Sequence, residues 1–375
     1  MKIAIITQPL RTNYGGILQN YSLQTVLKRM GHTTITLQRN DLIKPQYPRF
    51  FLTLGKRIIK KALGKYKYPL FSEQKYIQDY PKFTKHTFGF VKRYINTRVV
   101  DYNNPGISDV DYDAYIVGSD QVWRPSYNNI GFTFLSFAKD WSVKRCAYAA
   151  SFGTNEWEFT PKETEMCKAL AKKFDAVSVR EFSGIHLCEK YLGIKAQHVL
   201  DPTLLLQRQD YEQLIENSNT TPSKGQLFVH ILDKSEDKCR LVETIAKKNN
   251  WIPFEVNCEV DEHELNEPIE KRIQPPVEQW LRAFKDAKFV VTDSFHAMVF
   301  SILFNKQFIV YANNGRGAAR FQSLLRSLGY KDHLIYNSAD YNNMRISTID
   351  YEQVNAKIAS LRKDSLEFLL KGLGK

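Results

Sequence analysis

Residues 290–304 read VVTDSFHAMVFSILF. A short β-branched run stops at Thr292, Asp293 or Ser294 supplies the side chain of a helix N-cap, and a longer apolar run follows, which predicts a strand feeding directly into a buried helix. An apolar strand with no polar alternation belongs in a parallel sheet that is covered on both faces. The same pattern recurs along the chain. IAIIT (3–7), AYIVG (114–118), CAYAAS (146–151), AVSVR (176–180) and HVL (198–200) precede the Asp201-Pro202 break, and QLFVHIL (226–232), PFEVN (253–257), FVVTD (289–293) and QFIVYA (307–312) follow it. This alternation predicts an α/β protein of doubly wound sheets, whose ligands sit at the C-terminal ends of the strands.

With 375 residues the chain is too long for one ordinary core, so two domains with a cleft between them are expected. We place the first at 1–206, carrying a basic, aromatic-rich helical insertion near 41–104, and the second at 207–330. The linker falls near DPTLLLQ (201–207), where Pro202 interrupts the strand series. Residues 331–375 form an extension closed by an amphipathic helix with Val354, Ile358, Leu361, Leu366, Leu369 and Leu370 on or near one face.

Hydrophobic residues make up 43% and charged residues 25%, the balance of a soluble globular chain. The net charge of +13 favours phosphates, polyanions or an anionic membrane face as partners. No nucleic-acid-binding module accompanies that charge, so nucleic acid is not expected. Lys56, Arg57, Lys60, Lys61, Lys65 and Lys67 alternate with Ile58, Ile59 and Leu63, a pattern shared by helices lying on a membrane and by solvated helix faces. Five cysteines without metal or disulfide spacing fit a reducing compartment. The opening MKIAIITQPL reads as a strand, not a signal peptide, and no apolar run reaches the length of a membrane span. The expected location is cytoplasmic, with any membrane contact peripheral and on the inner face. The sequence sets no oligomeric state.

Several segments place chemistry-bearing residues at strand ends. Asn13, Tyr14, Gly15 and Gly16 open the first helix, where free N–H groups can meet an anion or a sugar oxygen, although a plain strand-to-helix turn also uses two glycines. Ser119, Asp120, Gln121 and Trp123 follow a strand and suit a hydroxyl-rich ligand, the indole stacking on a sugar ring; the alternative is a capped helix with Trp123 packed beneath it. Arg180 ends another strand, where it can grip a carboxylate or phosphate or pair with Asp175 or Glu181. His296 falls in the first turn of its helix, close to free N–H groups, and histidine is the side chain that exchanges a proton near neutral pH. Gly315, Arg316, Gly317 and Arg320 offer a flexible, cationic loop at a helix start, a candidate phosphate clamp. No cluster with metal-ligand spacing is found.

In order and spacing, NYGG (13–16), GSDQVW (118–123), YAASFG (148–153), SVR (178–180), DPT (201–203) and TDSFH (292–296) resemble the polysaccharide pyruvyl transferase family over roughly residues 1–330. The resemblance implies a glycosyltransferase-B-like pair of Rossmann-type domains, the first binding acceptor and the second donor. It implies an enzyme that transfers pyruvate from phosphoenolpyruvate, a co-substrate, to a sugar of a cell-surface polysaccharide or its lipid-linked precursor as a ketal, releasing phosphate and using no cofactor or metal. By position, His296 matches the family's general acid and Arg180 its donor-binding arginine; Asp120 is a candidate acceptor of a hydroxyl proton. Asp293, Ser294 and Gly317 fall on the donor side. Many relatives carry arginine where this chain has Ser294, and Arg316 or Arg320 is the candidate replacement. Two other readings remain: a nucleotide-sugar-dependent glycosyltransferase on the same scaffold, and a non-catalytic glycan-binding or membrane-surface scaffold.

Overall fold

The computed structural model describes residues 1–39, 47–65, 68–102, 104–313, 317–343 and 346–374. Its strands are β1 (Lys2–Ile6), β2 (Thr33–Arg39), β3 (Thr97–Val100), β4 (Ala114–Val117), β5 (Lys144–Ala150), β6 (Ala176–Val179), β7 (Gln197–His198), β8 (Leu227–His230), β9 (Pro253–Phe254), β10 (Phe289–Thr292), β11 (Gln307–Tyr311) and β12 (Leu334–Ile335). They form two parallel sheets, one ordered β3-β2-β1-β4-β5-β6-β7 and the other β12-β11-β10-β8-β9. The apolar runs of β1, β4, β8 and β10 are buried on both faces, as parallel strands between helices must be. The doubly wound α/β expectation is met in both lobes.

Each sheet has a point where the chain changes winding direction. In the first it lies between β1 and β4, and in the second between β8 and β10. A crevice opens beyond the strand ends at such a point, because the connections on either side of it turn away to opposite faces of the sheet. The two crevices face one another here and merge into a single cleft of about 550 Å³, lined from one side by Asn13 to Gly15 and Asp120 and from the other by His230 and Asp293 to His296.

Two strands lie outside the sequence-based list within this first sheet. β2 reads TTITLQR and escapes an apolar-run criterion because its buried face is polar. Thr36 donates to Asn20 Oδ1 (2.9 Å) and accepts from Gln24 Nε2 (2.8 Å), so the helix Tyr14–Arg29 satisfies the strand with side chains. β3 is an edge strand inside the stretch read as a helical insertion, which therefore returns to the sheet at Thr97 after helices at Tyr47–Ala62, Ser72–Phe83 and Lys85–Tyr94. The closing helix, Tyr351–Gly372, buries Val354, Ile358 and Leu369 and crosses back to the first lobe. There Ser365 Oγ accepts from the Leu200 N–H (3.0 Å), and Arg362 Nε donates to the Leu204 carbonyl (2.7 Å).

Burial also writes a pH dependence into this fold. It pushes the imidazoles of His198 and His230 down to about 4 from an ordinary 6.5. Between those values the unfolded chain holds more protons than the folded one, so stability is complete above pH 6.5 and is lost as pH falls toward 4. From pH 7 to pH 5 each histidine is expected to cost roughly 2 kcal/mol. Urea midpoints at the two pH values measure this. The decline should shrink in His230→Gln, whose amide oxygen can still accept from Trp280 Nε1 as His230 Nδ1 does at 3.2 Å. An undiminished decline would remove His230 from the explanation.

Candidate active site

The site is assembled from four strand ends. β10 ends at Thr292, whose Oγ1 accepts from the Ser294 N–H (2.9 Å); Ser294 then caps the helix Phe295–Leu303 by accepting from Ala297 N (3.5 Å). This fixes His296 in the first helical turn, on the cleft wall. The ring is only 5% exposed but has a carboxylate beside it, its Nε2 lying 3.6 Å from Asp201 Oδ2, while Phe295 meets it edge-on with centroids 5.4 Å apart.

Asp201 is a hub. Its Oδ2 accepts from Arg180 (2.7 Å) and from Ser119 Oγ (3.0 Å), while its Oδ1 accepts from the Thr203 N–H (3.0 Å) and hydroxyl (2.7 Å). Burial works to raise its pKa, but His296 and Arg180 outweigh it and hold the carboxyl well below the usual carboxylate range. Asp120 follows β4, three strands along the sheet from β7. Its Oδ1 accepts from Arg180 (2.9 Å) and from the Gln121 N–H (2.9 Å), and Arg320 lies 3.8 Å away. Burial again opposes ionisation and is overcome, here by Arg180, His296 and Arg320. Arg320 is lowered to about 10 by burial and by Arg180 beside it, so it remains a cation at neutral pH. Both guanidiniums stack on one ring, Phe295, at 4.6 and 5.5 Å from its centroid. Glu181, raised by burial, accepts from Ser151 Oγ and the Phe152 N–H behind this group.

Gly15 explains how the first lobe meets the catalytic candidate. A Cβ built there would overlap the His296 ring, so the glycine is required for the imidazole to occupy its place. Gly15→Ala is expected to displace the ring and, since about 1 Å of misplacement can cost 10²-fold, to lower turnover by about that factor. Its urea midpoint should move far less than its rate. Unchanged kinetics would show that the ring's position does not matter.

Not every residue singled out in the sequence faces the cleft. Trp123 is fully buried, stacked on Phe134 with centroids 4.8 Å apart and tilted against Phe152, so it belongs to the core and cannot stack on a sugar. Ser119 is turned inward onto Asp201 and the Ala149 carbonyl. Arg180 is a second correction of substance: both ends of its guanidinium are committed to Asp120 and Asp201, and it stands behind the cleft wall, so it holds the site together without gripping a ligand directly. Asp293 lines the wall, but its carboxylate is occupied by the Leu232 and Asp233 N–H groups and by Lys238, tying β8 to β10, and it is a poor donor-anion contact. Asn13 caps the first helix through Gly16 N (3.1 Å). Tyr14 edges the cleft while bridging the lobes, its hydroxyl donating to the Pro275 carbonyl (2.8 Å) and its ring stacking on Trp280. Gln121 and Arg320 line the cleft. Gly317 has φ +89 and packs so tightly on the Gly153 carbonyl that no side chain fits, and it is not among the residues lining the cleft. Arg316 lies outside the described residues.

Sequence reasoning gave Asp201 no chemical role, treating it as a chain break and as part of the DPT motif. The signal was present: a carboxylate directly after an apolar strand is placed by the fold at the ligand edge of the sheet. His230, Gln274 and Trp280, also on the cleft wall, gave no comparable signal. Among the described residues no three His, Cys, Asp or Glu side chains converge as a metal site.

Two parallel Rossmann-like lobes with a cleft between facing switch points define the glycosyltransferase-B class of fold. Solved structures of that class agree. UDP-GlcNAc 2-epimerase from Neisseria meningitidis bound to UDP-GlcNAc superposes with a TM-score of 0.53 at 10% identity, covering 99% of this chain and 100% of the other. Arabidopsis thaliana UGT89C1 complexed with UDP-L-rhamnose gives 0.50 at 9% identity, covering 99% and 97%. Identities this low speak for the fold alone. A search of curated protein sequences finds no match. The family is settled by the sequence itself: the model of the polysaccharide pyruvyl transferase family matches residues 13–315, and the chain belongs to that family of transferases.

Proposed function

We propose that the protein transfers the pyruvyl group of phosphoenolpyruvate to two hydroxyls of one sugar in a polysaccharide or its precursor, forming a ketal and releasing phosphate. Membership of the family supports the reaction class, and the observation that carries the mechanism is His296 beside Asp201 on the wall of the inter-lobe cleft.

Phosphoenolpyruvate is an enol ester, unreactive toward alcohols until its methylene carbon is protonated. The His296 imidazolium donates that proton, converting the methylene to a methyl and leaving the adjacent carbon electrophilic. A sugar hydroxyl adds there, and the now neutral His296 takes its proton. The ester C–O bond then breaks, the departing phosphate receiving the proton from His296. The second hydroxyl closes on the same carbon and returns its proton to the ring. Two protons are given and two recovered, so the imidazolium is regenerated. Asp201, beside the ring, orients it throughout. Arg320, on the cleft wall, is the guanidinium placed to meet the donor's negative charge, the role the sequence had shared with Arg316 and Arg180. Asp120, held ionised, is a weak base and a strong hydrogen-bond acceptor, which fits it to orient an acceptor hydroxyl more than to remove its proton.

The test is to incubate the purified protein with phosphoenolpyruvate and free or lipid-linked galactose, mannose and N-acetylmannosamine acceptors. Phosphate release and product mass are followed together. A ketal adduct with equimolar phosphate is expected. Turnover of a nucleotide sugar in its place, or glycan binding with no turnover of either donor, would overturn the reading.

A further inference from the structure

The C-terminal end of the helix Tyr47–Ala62 turns apolar side chains toward water. It is held through Arg57, which pairs with Glu73 and donates to the Leu70 carbonyl (3.2 Å). At 100° per residue, Ile59 and Ala62 stand on the side opposite Arg57, with Ile58 at the edge of the same arc. Exposures agree: Ile58 is 50% exposed, Ile59 62% and the following Leu63 63%. An ordinary surface helix turns such a stripe inward and its lysines outward. Here the apolar arc faces away from the protein, and exposed Lys56, Lys60 and Lys61 flank it, with Lys65 just beyond the helix end.

This helix is also joined to the cleft. The next helix, Ser72–Phe83, stacks Tyr76 on His263 with ring centroids 5.1 Å apart, and the Tyr76 hydroxyl donates to Glu262 Oε1 (3.2 Å). Its Asp79 pairs with buried Arg272, and its last carbonyl, on Phe83, accepts from the Gln274 N–H (3.1 Å). Glu262, His263 and Gln274 all line the cleft. The outward apolar face therefore belongs to the same insertion that packs against Glu262, His263 and Gln274 of the cleft wall.

We propose that this face docks on an anionic lipid bilayer. Apolar side chains enter the headgroup boundary while the flanking ammonium groups meet lipid phosphates, a combination that binds in the plane of a membrane without spanning it. No helix among the described residues is long and apolar enough to cross one. Docking brings the cleft mouth to the surface where a lipid-linked acceptor resides. That last consequence rests on the function proposed above; bilayer binding does not.

The experiment is sedimentation of the full-length protein with vesicles of phosphatidylcholine alone or mixed with phosphatidylglycerol, at low and high salt. Binding is expected to the mixed vesicles, to fall with salt, and to drop roughly 100-fold in the variant K56Q/K60Q/K61Q, since each lysine near an anionic surface contributes about a factor of five. I58S/I59S should weaken binding as well. Both variants should keep wild-type rates on a soluble acceptor. Equal binding to the two vesicle types, or unchanged binding in both variants, overturns the proposal. So does a dimer of the wild type in sedimentation equilibrium that I58S/I59S dissolves, because a second copy would then be the occupant. Absence of any ketal product alongside salt-sensitive vesicle binding would sink the enzymatic reading and leave the docking surface standing.

Discussion

Replacing His296 by alanine is expected to lower ketal formation by about 10²–10⁴-fold, the usual contribution of a positioned general acid, while phosphoenolpyruvate binding changes little. In the proposed mechanism the proton that activates the donor comes from this ring and the hydroxyl protons return to it, so no later step bypasses the loss. Affinity should persist because the proposed mechanism assigns the donor's negative charge to Arg320, not to His296. The variant is also expected to fold, since the ring stands against Gly15, which leaves it room, and beside Asp201, which keeps its bonds to Arg180, Ser119 and Thr203. Initial rates with saturating donor, beside donor titrations by calorimetry, separate the two effects. Wild-type rates in His296→Ala would eliminate the assigned acid.

Arg180→Ala is expected to have the largest effect on stability, a loss of about 3–5 kcal/mol. The guanidinium is fully buried between two carboxylates, at 2.9 Å from Asp120 and 2.7 Å from Asp201. Truncating it strands both charges in a region from which water is excluded, and the desolvation cost that the arginine offset is then met in full. Urea unfolding measures the loss. A double-mutant cycle with Asp201→Asn supplies the decisive comparison: removing both partners should cost clearly less than the two single losses added together. Simple additivity would mean that Arg180 and Asp201 are not coupled. A variant of wild-type stability with weakened donor affinity would restore Arg180 to the ligand-binding role that the family pattern implied.

The contrast between these two residues shows where the sequence was readable. His296 and Arg180 were found by the same logic, since each closely follows the end of a strand and the fold sends strand ends to the ligand. Position along the sheet was legible; direction was not. Whether a guanidinium at a strand end reaches into a cleft or backward between carboxylates depends on Asp120 and Asp201, which lie 60 and 21 residues away in the chain. Trp123 failed for a similar reason, because its aromatic neighbours come from separate segments and an indole after a strand can serve either a core or a sugar. The strands with continuous apolar runs were legible, whereas β2 was hidden by the polar residues that the first helix satisfies across sequence. Gly15 carried the opposite lesson. Its use in a turn was evident, but its reason, the approach of His296 from the other lobe, exists only in three dimensions.

The central claim is that an imidazole on the cleft wall, backed by a carboxylate, hands a proton to the donor's methylene carbon. A crystal of His296→Gln soaked with phosphoenolpyruvate tests it most directly, because this variant is expected to bind the donor without consuming it. The expected result is a donor in the inter-lobe cleft with its methylene carbon against residue 296 and its negative groups on Arg320. A donor bound with that carbon remote from residue 296, or bound outside the cleft, would contradict the account.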